Sequence, residues 1–374
     1  MIDGFPGNLH RSDSMQSAGR TTWKALLGGL VLFVLIDTVV FRTWLYGWVA
    51  RSDSSAGYMA LRTQRDPAAK PIAGPPSVVL LGDSRVEEGC DAGVLRDRLG
   101  GGPLAVRMAA IPATTPRVWP YLWSALPKPP GGYTVAVVGL STYDDNEWGS
   151  RMSQRTLDLS FLGPLLTFAA ASELAASFED HASARRDVWL AALCKTWAWR
   201  QDLRDLLADP WQRYQNLRAS YGRMRWGAPY PGNPGSLAGA RVEGNRIVGI
   251  DDQATLSQLR QLVFPASSVD NHDYQRLWLG RLAERTAAAG TELVLVRMPT
   301  QVLPRSNPKA PDRRTLDELA RWPRVHVLPH DQFAELERPE FFWDGLHLNR
   351  AGRERFTDIL AEALRVRFPQ LARH

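Results

Sequence analysis

Two cysteines in 374 residues, Cys90 and Cys194, are too few for a disulfide framework or a thiolate metal site. They could form one pair, but sequence alone does not bring them together. Charge of one sign is also scarce. The formal net charge of +6 comes from arginines scattered along the chain, with no basic block and no interleaved aromatic stripe, which argues against nucleic acid as a partner. No Walker loop or GxGxxG motif follows an apolar strand, so no nucleotide cofactor is indicated. The apolar fraction of 44% excludes disorder, and Gly 30 with Pro 26 show no three-residue period, which excludes collagen. Long apolar runs are so few that the mean hydropathy is slightly negative, which argues against a polytopic membrane protein. The length suits two or three domains, or one enlarged α/β domain.

One long apolar run is present. From Ala25 to Phe41 the only charge is Asp37, and the run continues through Trp44, Leu45, Tyr46 and Trp48. Roughly 20 helical residues cross a bilayer core, and Trp23 on one side with Trp44, Tyr46 and Trp48 on the other are placed as interface anchors. A buried core helix or a cleaved signal peptide would share these features. No small-x-small cleavage site follows the run, which favours an uncleaved signal anchor over residues 25–48. Arg11, Arg20 and Lys24 precede it while Arg42 and Arg51 follow, a slight excess that puts the tail 1–24 in the cytoplasm and the body outside. Asp37 is costly in lipid, so it either lies near the outer interface or meets another membrane protein. Residues 49–76, polar and rich in Ser, Ala and Pro, read as a tether.

Beyond residue 77 strands alternate with helices. Ser77–Leu81, Leu104–Met108, Thr134–Leu140, Glu292–Met298 and Arg324–Leu328 are buried-strand candidates. Helical patterns cover Ala92–Leu99, Tyr274–Ala289 and Arg350–Val366, the last with Asn349 as a plausible N-cap. The expected fold is a three-layer α/β sandwich around a parallel sheet. The alternation stops at about 150 and resumes at about 267. That insertion is expected to be mainly helical, with a cap helix over Leu159–Ala171 and a small hairpin within Gly227–Gly249.

Two short segments carry chemistry, each placed where an open α/β sheet presents ligands. Gly82-Asp83-Ser84-Arg85 follows the first strand, and its glycine permits a sharp turn that lifts the Ser84 hydroxyl above the sheet. Asp344-Gly345-Leu346-His347 precedes the last helix. A serine hydroxyl needs a base to take its proton, and the base needs a carboxylate to fix its tautomer. Asp344 and His347, three residues apart, could supply both; each segment alone could also be an ordinary turn or cap. His326, His330 and Asp331 could be drawn as a metal site, but Pro329 and the strand alternation separate their directions, and no metal is expected.

These residues resemble the SGNH or GDSL-type esterase and acyltransferase superfamily. Its first block resembles Val79 to Arg85, and its Asp-x-x-His block looks like Asp344 to His347. The resemblance covers Ser77 to Phe368 apart from the insertion, and implies a flavodoxin-like sheet with Ser84 as nucleophile, His347 as general base and Asp344 as its orienter. The middle blocks depart from the pattern. Where the family has a glycine after the second strand, this chain reads Met108 to Ala113, leaving Ala109 or Ala110 as backbone donor. Where it has Gly-x-Asn-Asp, this chain reads Gly139-Leu140-Ser141-Thr142, so the Ser141 hydroxyl stands in for the asparagine amide. The implied oxyanion donors are therefore Ser84, Ala110 and Ser141. Arg85, Tyr143, Asp144 and Asp145 lie near the implied mouth as contacts for a sugar or acyl donor.

One span plus an exported body is similar to the membrane-anchored SGNH proteins of bacterial alginate O-acetylation and teichoic-acid D-alanylation. That similarity implies a single-pass protein of the bacterial inner membrane with its catalytic domain extracytoplasmic. It also implies a glycan substrate and a membrane-bound O-acyltransferase (MBOAT) partner, with Asp37 and the anchor as contacts. The expected activity is O-acyl transfer or ester hydrolysis through an acyl-serine. The alternatives are a non-catalytic scaffold that presents polymer to the MBOAT enzyme, or a lipid-active esterase.

Overall fold

The computed structural model describes residues 11–43, 45–48, 50, 54–63, 77–101, 104–146, 150–178, 180–220, 231–265, 268–300, 302–305 and 310–372. Trp44, His10, His374 and residues 64–76 of the expected tether fall outside them.

Five strands form one parallel sheet: β1 (Ser77–Leu81), β2 (Ala105–Met108), β3 (Val135–Leu140), β6 (Glu292–Arg297) and β7 (Val325–Val327), in the order β2-β1-β3-β6-β7. The short strands β4 (Arg241–Glu243) and β5 (Arg246–Val248) make a separate antiparallel hairpin. β1 and β3 are apolar at nearly every position because helices cover both faces. Val79, Leu81, Ala136 and Val138 face the helices Trp119–Ala125 and His272–Ala288, through Leu122, Trp123, Trp278 and Leu282. The alternate residues Val78, Leu80, Val135 and Val137 face Ala92–Arg98 and Arg350–Arg367, through Leu95, Phe356, Leu360 and Leu364. The Asn349 side chain caps the last helix by accepting from Gly352 N at 3.0 Å. Chain order reverses between β1 and β3, so the C-terminal ends of these two strands open onto a crevice.

The insertion divides between the two faces. Its helical part adds Phe161, Leu162, Leu174, Phe178 and Val188 to the first core, while Leu237, Ala240 and Ile247, in and before the hairpin, join the second. The expected single cap helix over Leu159–Ala171 is corrected to two. A helix over Asp158–Leu162 runs into a 3₁₀ turn at Gly163–Leu165, and a new helix starts at Phe168, capped by Thr167. Pro164 removes a backbone donor there, and Thr167 accepts from Ala170 N instead.

Two further expectations change at the N-terminal end. Part of the tether is a helix, Ser55–Thr63, which buries Met59 completely in the first core, packs on the helices Asp158–Leu162 and Trp119–Ala125, and pairs Arg62 with Glu87. Thr22–Phe41 is long and apolar enough to cross a membrane, and its side chains are largely exposed. Its end is not free. Asp37, in a π-turn, accepts from Thr196 N at 2.7 Å, Thr196 Oγ1 at 2.9 Å and Arg42 Nε at 3.1 Å. The carboxylate, expected either near the outer interface or against another membrane protein, is thus satisfied by Arg42 and this chain's own insertion. Tyr46, expected as an interface anchor, is buried between Phe41 and Trp199 and donates to Asp202 at 2.7 Å.

Candidate active site

The turn after β1 has little freedom. Gly82 adopts φ 145°, and a Cβ there would lie 2.4 Å from Val86 Cγ2 and 3.0 Å from Gly139 O. Asp83 then caps the helix Ser84–Gly89 by accepting from Arg85 N at 2.9 Å, while its other oxygen accepts from Arg85 Nε at 3.2 Å. Ser84 becomes the first helical residue, one whose N–H has no intrahelical acceptor. Among the described residues no other acceptor meets it.

The second segment is a closed loop. Trp343 N donates to His347 O at 3.2 Å, and Phe342 bridges Leu348 in antiparallel fashion. Inside it, Asp344 Oδ1 accepts from Leu346 N at 2.8 Å and His347 N at 2.7 Å, which fixes the carboxylate. Its Oδ2 lies 2.8 Å from His347 Nδ1, and His347 Nε2 lies 2.8 Å from Ser84 Oγ. With the proton on Nδ1 facing the carboxylate, Nε2 is left to accept from the serine hydroxyl. Burial disfavours the imidazolium, yet the Asp344 bond and charge, helped by Glu88, hold the His347 pKa above its ordinary value. Burial likewise raises the Asp344 carboxyl, but its bonds to His347 and the loop amides bring it below the usual range. Trp343 stacks on the imidazole at 5.7 Å and 16°, and donates from its indole to Glu88 Oε2 at 3.1 Å. The ring is therefore held at its edge by Asp344 and on its face by Trp343.

Ser84 opens onto a cavity of about 370 Å³ whose wall includes Arg85, Ala113, Ser141, Arg155 and Tyr274. Ser84, Arg85 and Ser141 thus share one space, as expected. Ala110 does not. Its side chain is fully buried in the second core, and the neighbouring Ala109 and Ile111 amides bond to Leu80 and Gly82 carbonyls. Ala113 lines the cavity instead, at φ 59°. A non-glycine residue in the left-handed region is uncommon and marks a backbone held for a reason. Tyr143 is a second correction, because it is buried and its hydroxyl donates to Leu295 O at 2.8 Å and lies 3.2 Å from Leu328 O. Asp144 does not line the cavity; it accepts from Asn146 N at 2.9 Å and Asp312 N at 3.1 Å, stitching two loops together. Asp145 is buried, accepting from Thr315 N at 3.0 Å beside His272.

Sequence reasoning missed the contribution of the insertion. Arg155 donates to Ala113 O at 2.9 Å and lies 3.3 Å from the wholly buried Asp158, which also accepts from Thr115 Oγ1 at 3.0 Å. Burial pushes the Asp158 carboxyl up to about 6 against the opposing charges of Arg117 and Arg155. These contacts lock the insertion onto the loop that carries Ala113. No local motif announces them. Trp343 and Glu88 were more accessible, since one adjoins Asp344 and the other sits one helical turn after Ser84.

Among the described residues no three His, Cys, Asp or Glu side chains converge as a metal site requires. His326 pairs with Glu292 at 2.8 Å, and both cysteines are free thiols. No protein-family model matches the chain, and no curated protein is detectably similar to it.

Proposed function

We propose that this protein is a serine-dependent O-acyltransferase or acyl esterase of the SGNH type, held at the bacterial inner membrane and acting outside the cytoplasm on a cell-envelope or exported polysaccharide. The observation that carries the reading is the continuous contact from Ser84 Oγ through His347 to Asp344, with 2.8 Å at each joint. Those distances are within hydrogen-bond reach for a nucleophile, base and orienter. The parallel sheet and the position of Ser84 beyond β1 are compatible with that family. A scaffold that only presents polymer needs no such relay, so the geometry favours catalysis.

In this reaction Ser84 Oγ attacks the acyl carbonyl carbon while His347 Nε2 takes the hydroxyl proton. The tetrahedral oxyanion is met by the Ser84 amide and the Ser141 hydroxyl, with the Ala113 amide in the role first assigned to Ala110. Collapse breaks the bond to the leaving alkoxide, which receives the proton from His347. The acyl-Ser84 ester is then attacked by a sugar hydroxyl or by water, again deprotonated by His347, and Ser84 is regenerated. The hydroxyl and guanidinium groups lining the cavity suit a glycan.

The apolar helix serves as a retained anchor. Its support is the burial of Phe41, Tyr46 and Asp37 against the insertion, which a cleaved signal would leave unfilled. An MBOAT partner in the same membrane supplies the acyl group in this reading, and the exposed face of the anchor is where the two would meet.

An active-site fluorophosphonate tests the reading directly. The folded protein should label at Ser84, with labelling lost in Ser84→Ala and strongly reduced in His347→Ala. Undiminished aryl-acetate hydrolysis by Ser84→Ala would overturn it.

A further inference from the structure

We infer that the helical insertion is itself a membrane-docking surface, seating its Phe168, Leu193 and Leu207 edge in the phospholipid interface beside the anchor. The inference rests on the anchor reading and goes beyond it, because a single span on a tether would leave the body free to stand off the bilayer.

Exposed apolar side chains scattered singly are normal, but these are not scattered. Among the described residues beyond the apolar helix and its flank, the large exposed apolar side chains are Leu157, Phe168, Leu193, Leu207, Trp211 and Tyr214, all in the insertion, with only Leu277 and Val366 elsewhere. Leu207 is 80% exposed and Phe168 61%.

Their position relative to the anchor decides what covers them. Phe168 and Leu193 line a cavity of about 570 Å³ together with Phe41, Arg42 and Thr43 at the end of the apolar helix. Deeper along the same helix, Phe33 shares a crevice with Trp197, Leu203 and Leu207. Asp37, paired with Arg42, marks the polar level of the helix. Phe33 lies four residues nearer the membrane centre, about 6 Å at 1.5 Å per residue. Side chains that flank Phe33, Leu207 among them, therefore sit about as deep as the apolar face of an interfacial helix, roughly 5–10 Å below the headgroups, while Phe168 and Leu193, level with Phe41 to Thr43, sit among the headgroups.

The helix Arg200–Ala208 has the matching composition. Leu203 and Leu207 fall on the crevice side with Arg200 and Arg204, whose aliphatic stems can lie along apolar surface while their guanidinium groups reach the phosphates. Arg200 already lies over the Trp197 ring at 4.7 Å and pairs with Asp187 at 2.9 Å. Asp37 bonded to Thr196 fixes the angle between span and insertion, so the span cannot enter a bilayer without bringing this edge to its surface. The phospholipid interface is the one occupant continuous with the span.

The test uses the full chain reconstituted into phosphatidylcholine–phosphatidylglycerol vesicles. In a Cys194→Ser background, single cysteines replace the exposed residues Val31, Phe168, Leu207 and Val366 in turn, and each carries an environment-sensitive fluorophore. Nitroxide on the lipid acyl chains should quench Val31 and Leu207 several-fold more than Val366, with Phe168 between them, and aqueous iodide should show the reverse order. If Phe168 and Leu207 follow Val366 while Val31 stays with the lipid, the anchor stands and the docking surface is overturned. Protection of Phe168 and Leu207 from both quenchers means that protein covers them, and also overturns it. If Val31 itself follows iodide, both readings fall.

Discussion

Asp344 and Asp37 are both buried carboxylates held by backbone amide and side-chain donors, and the two sites behave oppositely. Asp344 spends one oxygen on loop amides and gives the other to an imidazole, a group whose charge changes near neutral pH. Asp37 spends both oxygens on a backbone amide, a hydroxyl, a guanidinium and the Cys194 thiol, none of them an imidazole. The same anion therefore makes a proton relay in one place and a rigid joint in the other. What separates them is the partner, not the burial.

Swapping each carboxylate for its amide breaks the comparison most sharply. Asp344→Asn keeps the shape but removes the preference for the correct imidazole tautomer, and should lower turnover of a soluble aryl ester by about 10⁴-fold. Asp37→Asn should leave that turnover within about twofold, since the joint touches no reacting atom. Steady-state rates on the two purified variants measure the difference directly.

A second contrast is in stability. Asp37→Ala leaves the Thr196 amide and hydroxyl without their acceptor, and should destabilise the junction by about 1–3 kcal/mol. Limited proteolysis across residues 194–200 should speed up accordingly, while the rest of the body resists as before.

The smallest effect concerns pH. His347 must be neutral to accept a proton, so activity should fall as the pH drops through its raised pKa, placing the acidic limb above the ordinary 6.5. The same upward shift stabilises the folded protein fully below 6.5, and that contribution disappears as the pH rises through the folded value. Asp344 runs the other way, stabilising above 3.8 and losing its contribution as the pH falls through its lowered pKa. Glu88→Gln removes one raising charge, so the acidic limb of the rate profile should move down by less than about one unit. Asp37→Asn should leave the limb in place.

The sheet was legible because β1, β3 and β6 are short apolar runs ended by turns, and all three lie within a residue of their expected limits. Ser84, Asp344 and His347 were legible for a different reason, since each stands in a compact local motif whose chemistry makes sense only if the pieces meet. Ala110 falls outside the cavity wall because the chain runs on past β2, through Ala109 and Ile111 amides that bond to the β1 strand and its turn, before it bends at Ala113. Strand composition cannot count those residues. Tyr143 and Asp144 went wrong because being next to a site in sequence is not the same as facing it; a tyrosine that donates to a β6 carbonyl is part of the sheet's end wall. The Asp37 joint was invisible for a topological reason, as its partner Thr196 lies 159 residues away in a segment with no pattern of its own.

The helix Ser55–Thr63 does more than fill space. Arg62 Nη1 donates to Met108 O at 3.4 Å and Arg107 Nη2 donates to Arg62 O at 2.7 Å, so this helix lies across the end of β2, the outermost strand on its side. An uncovered outer strand is a template for pairing with another chain. Cutting the protein back to Ser77 to obtain a soluble body would remove that cover together with Met59, and the product should self-associate through β2. Starting the body at Ser54 keeps the strap and should prevent self-association through β2.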